Sequence, residues 1–386
     1  MMDHEPGFPA HISPREIDAI ILSHAHLDHS GAIPMFHIRE HTPVYGTALT
    51  FELARILISD FIHLSSYYLP YEYLDLESMI NCVIHMRYNE SVEIGETQIK
   101  FLDAGHIPGS AQILINASDR RVLYTGDFNT LDTRLLNGAD NNYPDLNAVI
   151  IEGTYANEDH PNRETLETDF VKRVTEIVEG GGTVLVPAFA VGRSQEILCV
   201  LTAHHFEYPI TIDGMALEVN EVIMRYPESL RDSKLFMNAI HTANWIGGWR
   251  DRRIATKKPG VIISPAGMLK GGAAVFYLEN LAKKRENAVF LISYQIPGSP
   301  GRELLEKKQF IIGGRTRRVE ASVERFDFSS HCGMKELHEA VRRLKGDPTL
   351  FVMHGAEGNC QQFAEWIKGE VGLNAVAPNA GEVHYI

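Results

Sequence analysis

The stretch Ser23-His24-Ala25-His26-Leu27-Asp28-His29-Ser30-Gly31 places three imidazoles and a carboxylate within six residues. Neutral imidazole nitrogens and a hard carboxylate oxygen form the mixed donor set that zinc and similar divalent ions take. The run before it, residues 17–22, has the length and apolar, β-branched content of a buried strand. His24 and His26 stand two apart, so an extended strand end aims both the same way. Asp28 and His29 follow where the chain turns, and face a second point about one metal–metal spacing away. The plainer alternative is a polar loop that happens to be rich in histidine. With 18 His in 386 residues, these offsets would arise by chance on the order of once in several hundred chains.

Similar chemistry recurs at other strand ends. Residues 98–103 lead into Gly105-His106, residues 121–124 into Gly126-Asp127, residues 148–151 into Glu152, and residues 349–353 into His354-Gly355. His331 lies in Ser329-Ser330-His331-Cys332, ahead of a helical pattern. A lone His or Asp in a turn is usually a solvated or capping residue. Here most of them follow a strand, and strand ends on one edge of a sheet converge, so the loops there can share a site.

The positioning elements are legible as periodicity. Apolar residues at three- and four-residue spacing predict helices over 29–40 and 47–63. The aromatic stretch 67–73 suits packing better than a lid. From about residue 156 the pattern alternates: a helix near 164–178, a strand at 183–186, then strands at 210–212, 261–264 and 289–293, each followed by a loop and most by a helix. That alternation predicts a parallel sheet covered by helices. Its glycine-rich strand–helix turns can present backbone N–H groups to phosphate, a weak signal because such turns are common. A final strand is expected at 382–385.

Length suggests two domains, or one domain with a large insertion. A net charge of −14 argues against a protein that simply coats nucleic acid, but not against a nuclease with a local basic groove. The four cysteines form no C-x-x-C pair, so neither a disulfide framework nor a Cys-rich zinc site is indicated. No run of 18 apolar residues and no signal-peptide pattern is present, so the expected location is cytoplasmic, with no membrane partner.

Together and in this order, the motifs resemble the metallo-β-lactamase fold in its β-CASP nuclease branch. The resemblance is close to the endonuclease subunit of the cleavage and polyadenylation specificity factor and its archaeal and bacterial relatives. It covers nearly the whole chain. It implies an α/β fold: a metallo-β-lactamase αββα sandwich, N-terminally incomplete, in residues 1–155 and 325–386, with a β-CASP α/β domain inserted at 156–324. It assigns one zinc to His24, His26 and His106, a second to Asp28, His29 and His354, and makes Asp127 the bridge. Manganese is compatible with the same donors. The resemblance gives Asp28, Glu152 and His331 catalytic roles, His331 protonating the leaving ribose oxygen and Glu152 orienting it.

It further implies a zinc-dependent ribonuclease, endonucleolytic or 5′–3′ exonucleolytic, acting on single-stranded RNA in RNA processing or decay. The inserted domain is expected to roof the site, which disfavours a small-molecule hydrolase. His354 favours RNA, since DNA-repair members of the family carry an apolar residue there. Arg193 and Arg302, each beside a glycine, are the candidates for phosphate contacts. A homo-oligomer or processing-complex subunits are compatible partners. The family's first motif, an Asp at a strand end, has no counterpart before residue 17, and Asp3 does not follow a strand. The resulting alternative is a non-catalytic RNA- or partner-binding homologue inactivated by N-terminal truncation.

Overall fold

A computed structural model describes residues 7–10, 12–39, 41–65 and 69–386; Asp3 and the tyrosines at 67 and 68 lie outside the described residues. The chain divides into two units. The first contains residues 1–132, 137–159 and 330–386, and the second residues 133–136 and 160–329.

The first unit is built from strands that present two apolar faces. Thr97–Asp103 and Ala111–Ala117 pair antiparallel, so alternate residues point to opposite sides. Ile99, Phe101 and Ile113 pack with Tyr45 and Met86 of a small parallel sheet, Ile20–Ile21, Val44–Thr47 and Val83–Met86. Leu102, Leu114, Leu123, Val149 and Ile151 face the other way, onto Leu337, Val341 and Phe363 of the helices Met334–Arg342 and Glu357–Trp366. The large sheet runs Ala375–Val376, Thr349–Met353, Ala148–Glu152, Arg120–Tyr124, Ala111–Ala117, Thr97–Asp103, Ser91–Ile94. Arg120–Tyr124, Ala148–Glu152 and Thr349–Met353 run parallel, so their C-terminal ends reach the same edge.

In the second unit, six parallel strands lie in the order Asn244–Trp245, Ile210–Ile212, Gly260–Ser264, Thr183–Pro187, Ala288–Leu291, Ser322–Arg325. Residues 133–136 group with this unit because the Glu196 carboxylate accepts the backbone N–H groups of Arg134 and Leu135 at 3.0 and 2.8 Å. Glu167 accepts from Arg134, Arg163 and His204 beside it. On the first unit, Met334 N donates to Glu158 O and Lys335 N to the Asp159 carboxylate. These bonds keep residues up to 159 with the first unit, a few residues beyond the boundary expected at 155.

Three sequence expectations change. Only Ile20–Ile21 of residues 17–22 forms a strand. The helix expected at 29–40 breaks into Leu27–Ser30 and a 3-10 turn, Ile33–His37, at Gly31 and at Pro34, which lacks an N–H. No strand forms at 382–385; Val383 and Tyr385 are 75% and 95% exposed, so pairing there would bury nothing. The short strand Ala375–Val376 instead pairs with Thr349–Met353. Of the aromatic stretch, Tyr71 is buried and its hydroxyl donates to Gly31 O, while Tyr73 is exposed. Among the described residues no helix is long and apolar enough to cross a membrane.

Candidate active site

Each histidine-bearing loop is held by bonds that the rest of the first unit supplies. Ser23 O accepts Ala111 N at 2.8 Å, tying the small sheet to the large one just before His24. Ser30 Oγ donates to Ala25 O, folding the turn that carries Asp28 and His29 back on itself. The His106 loop is pinned at both ends: Ser110 Oγ accepts the N–H groups of His106 and Ile107, and Gly109 O accepts Thr47 Oγ1 and Thr50 Oγ1. Thr47 in turn caps the helix Ala48–Leu64.

Gly105 turns the chain into His106 with φ +62, and an added Cβ would meet Asn129 O at 2.5 Å. Gly105→Ala is therefore expected to destabilise the chain by about 2 kcal/mol or more, from the left-handed backbone and the overlap together. Chemical denaturation of the metal-free protein checks this; an unchanged midpoint would show that the loop relaxes freely. His354 itself adopts φ +54, a conformation uncommon for a residue with a side chain. Thr154 Oγ1 donates to His354 O at 2.9 Å and holds it there.

Two donor sets meet at Asp127. Its Oδ2 lies 3.4 Å from His24 Nε2 and 3.6 Å from His106 Nε2, and His106 Nε2 is 3.1 Å from His26 Nδ1. Its Oδ1 lies 3.5 Å from His29 Nε2 and 3.1 Å from His354 Nδ1. His354 Nε2 is 3.2 Å from His29 Nε2 and 3.3 Å from Asp28 Oδ2. A tetrahedral ion with bonds of about 2.1 Å separates its donors by about 3.4 Å, close to the 3.1–3.8 Å between neighbouring donors here. His24 Nε2 and Asp127 Oδ1 are buried yet make no hydrogen bond, as atoms awaiting a cation would. The donors thus fit metal ions: His24, His26, His106 and Asp127 form one set, Asp28, His29 and His354 a second, and Asp127 Oδ1 lies beside the second at His29.

The electrostatics agree. Burial lowers the pKa of His24, His26 (to about 3) and His106, so these imidazoles stay neutral and keep a lone pair. The tautomer of His106 is fixed because Ser330 O can only accept, so Nδ1 carries the hydrogen and Nε2 faces Asp127. Burial alone would raise Asp127, but His24 and His29 hold it well below the usual carboxylate range. His354 goes the other way: against its burial, the Asp28 and Asp127 carboxylates raise it to about 9. Without metal, its imidazolium is the cation that offsets the two carboxylates.

Glu152 is buried, and its Oε1 accepts Phe128 N at 2.8 Å while Oε2 lies 2.8 Å from His331 Nδ1. Burial works against charge on His331, but Glu152 outweighs it and raises the pKa above 6.5. The His331 ring lies 4.5 Å from that of His106, centroid to centroid, beside the donor sets. A cavity of about 280 Å³ opens onto Asp28, His29, Asp127, Glu152 and His354.

All nine residues expected at the site, His24, His26, Asp28, His29, His106, Asp127, Glu152, His331 and His354, therefore lie together. Arg193 and Arg302 belong to the second unit. Arg193 is buried and donates from Nη1 to Phe328 O at 2.7 Å, a bond that a phosphate would have to displace. Arg302 is partly exposed and pairs with Glu306 at 2.6 Å. Ser23, whose Oγ lies 3.2 Å from His24 Nδ1, together with Ser330 and Thr154, orients the histidines and escaped sequence reasoning. Thr154 follows Glu152 by two and was within reach, but nothing local marks Ser330 as the partner of a histidine 224 residues away.

Comparison with known proteins gives a consistent picture. A metallo-beta-lactamase superfamily domain matches residues 8–149, a Beta-Casp domain 194–304, and a Zn-dependent metallo-hydrolase RNA specificity domain 316–378. The chain is 40% identical to the RNase aCSPSF2 of Saccharolobus solfataricus over 98% of its own length and 77% of that protein's. It is 37% identical to a probable RNase, MJ4, of Methanocaldococcus jannaschii, covering 95% and 88%. Identity to the transcription termination factor FttA of the same organism is 33%, covering 94% of this chain and 62% of that protein. A solved structure of a protein of unknown function from Enterococcus faecalis shares the fold at 15% identity, with a TM-score of 0.59 over 94% of this chain and 80% of that one.

Proposed function

The chain belongs to the β-CASP ribonucleases of the metallo-β-lactamase fold, and on that premise we propose that it is a two-zinc phosphodiesterase cleaving single-stranded RNA, internally or from the 5′ end. The observation that carries this reading is Asp127, whose two oxygens each face a separate set of nitrogen donors. His24, His26 and His106 would hold one ion, Asp28, His29 and His354 the other, with Asp127 shared. Bound ions supply Lewis-acid activation of water and neutralise charge at the phosphoryl group. Manganese suits the same donors.

The remaining steps belong to the chain's own side chains. Glu152 fixes Nδ1 of His331 as the hydrogen-bearing atom towards itself, so Nε2 is the atom that delivers a proton to the leaving ribose oxygen. Glu152 also raises the His331 pKa, which favours the protonated form that a proton donor needs. The relatives named as RNases support RNA as the substrate. A non-catalytic binding role would give Glu152 and His331 no reason to pair beside a complete donor set.

The test is metal content by elemental mass spectrometry beside cleavage of a labelled single-stranded RNA. The expected result is about two metals per chain and cleavage abolished by a chelator. Substoichiometric metal with no cleavage would favour the binding-subunit alternative. Metal loading should also release a proton, because His354 is protonated in the metal-free site up to about pH 9 and must lose that proton to ligate. Affinity at the Asp28–His29–His354 site should therefore fall as pH drops below about 9. Calorimetry near pH 7.5 in two buffers of different ionisation enthalpy reads this directly; identical heats would contradict it.

A further inference from the structure

Residues 307–318, Lys307-Lys308-Gln309-Phe310-Ile311-Ile312-Gly313-Gly314-Arg315-Thr316-Arg317-Arg318, hold five cations and no acid, in a chain of net charge −14. They end one helix and form a two-stranded antiparallel hairpin, Gln309–Ile312 with Arg315–Arg318, closed by Gly313 and Gly314 at φ +58 and +74. Phe310 and Ile312 are buried in the core of the second unit, and Val319 N donates to Lys308 O, so the base of the hairpin is fixed. Its outer strand is exposed at all four residues.

Arg315, Arg317 and Arg318 form no ion pair with any described residue, unlike Arg302, Lys307 and Arg325 nearby, which are matched to Glu306, Glu303 and Asp327. Arg315 and Arg317 pair directly with Ile312 and Phe310 and so share their face, at its exposed edge, while Arg318 pairs with Gln309 on the other face. Two residues along a strand are about 6.8 Å apart, comparable with the step between phosphates of an extended nucleic-acid strand. Guanidinium groups bind phosphate through paired N–H donors, and a chain that is acidic elsewhere needs a local positive surface to hold a polyanion.

We infer that this hairpin is a contact surface for the phosphate backbone of single-stranded RNA. The inference rests on the ribonuclease reading above. The bland alternative is that the charges only protect an unpaired strand edge from self-association.

The experiment is equilibrium binding of a fluorescein-labelled, nuclease-resistant oligouridylate to the metal-loaded full chain, by anisotropy between about 50 and 200 mM salt. Replacing all three arginines with glutamine should weaken binding at least tenfold and reduce the slope of log affinity against log salt by about 2, at roughly 0.7 per lost contact. The triple lysine variant should keep most of that slope while losing affinity, because charge remains and paired donors do not. It also carries the test if the glutamine variant fails to fold. Wild-type binding with unchanged affinity and slope in the folded variants overturns the hairpin alone; new self-association in that case assigns the charges to edge protection. Failure of the wild-type chain to bind the RNA overturns the ribonuclease reading, and this inference with it.

Discussion

Asp127→Ala should empty both metal sites at once and lower RNA cleavage by more than about a hundredfold, the upper end for changes that only orient a metal ligand. The two oxygens of this side chain face donors of both sets, Oδ2 at 3.4–3.6 Å from His24 and His106 and Oδ1 at 3.1–3.5 Å from His354 and His29. Changing residues that merely orient a ligand costs about 10–100-fold in metal affinity, so losing a shared donor should cost more at each site. The fold should survive. Phe128, the next residue, is held through Glu152, and the His354 imidazolium loses Asp127 but keeps Asp28, so the metal-free chain should melt lower without collapsing. The measurement is elemental mass spectrometry with thermal melting in chelator. Two metals retained by Asp127→Ala would sink the bridging role, and a collapsed metal-free melt would show that the residue is structural instead.

His331→Ala should leave metal content at the wild-type value and lower kcat by about 10²–10⁴, the range for loss of a positioned general acid. Glu152→Gln is the companion variant. It keeps an oxygen for Phe128 N but removes the charge that raises His331, so the imidazole loses its proton at lower pH. An acid must be protonated to act; the alkaline limb of the kcat profile should therefore move to lower pH in Glu152→Gln and vanish in His331→Ala. Full activity in His331→Ala, or an unmoved alkaline limb in Glu152→Gln, would remove the proton-donor role. A structural role for the pair would instead show as reduced metal content in both.

The sequence by itself determined the donor types and their places at strand ends. That information is local: spacing of two sets the direction of His24 and His26, and a glycine before His106 and Asp127 marks a turn that only a left-handed backbone makes. The alternation of strands and helices in the second unit was equally legible, since each apolar face repeats within a few residues. The tertiary structure decided what periodicity does not reach. His29 meets His354 across 325 positions, and His106 takes its tautomer from Ser330 across 224. Whether those side chains meet depends on the pairing of Arg120–Tyr124, Ala148–Glu152 and Thr349–Met353 in one register, because a one-residue slip would turn every side chain to the opposite face. Likewise Arg193 looks like a surface cation beside a glycine, and only packing shows its guanidinium donating to a buried carbonyl. Residue type and spacing fix the direction of a side chain relative to its own strand; which side chains share an ion is set by long-range register and packing.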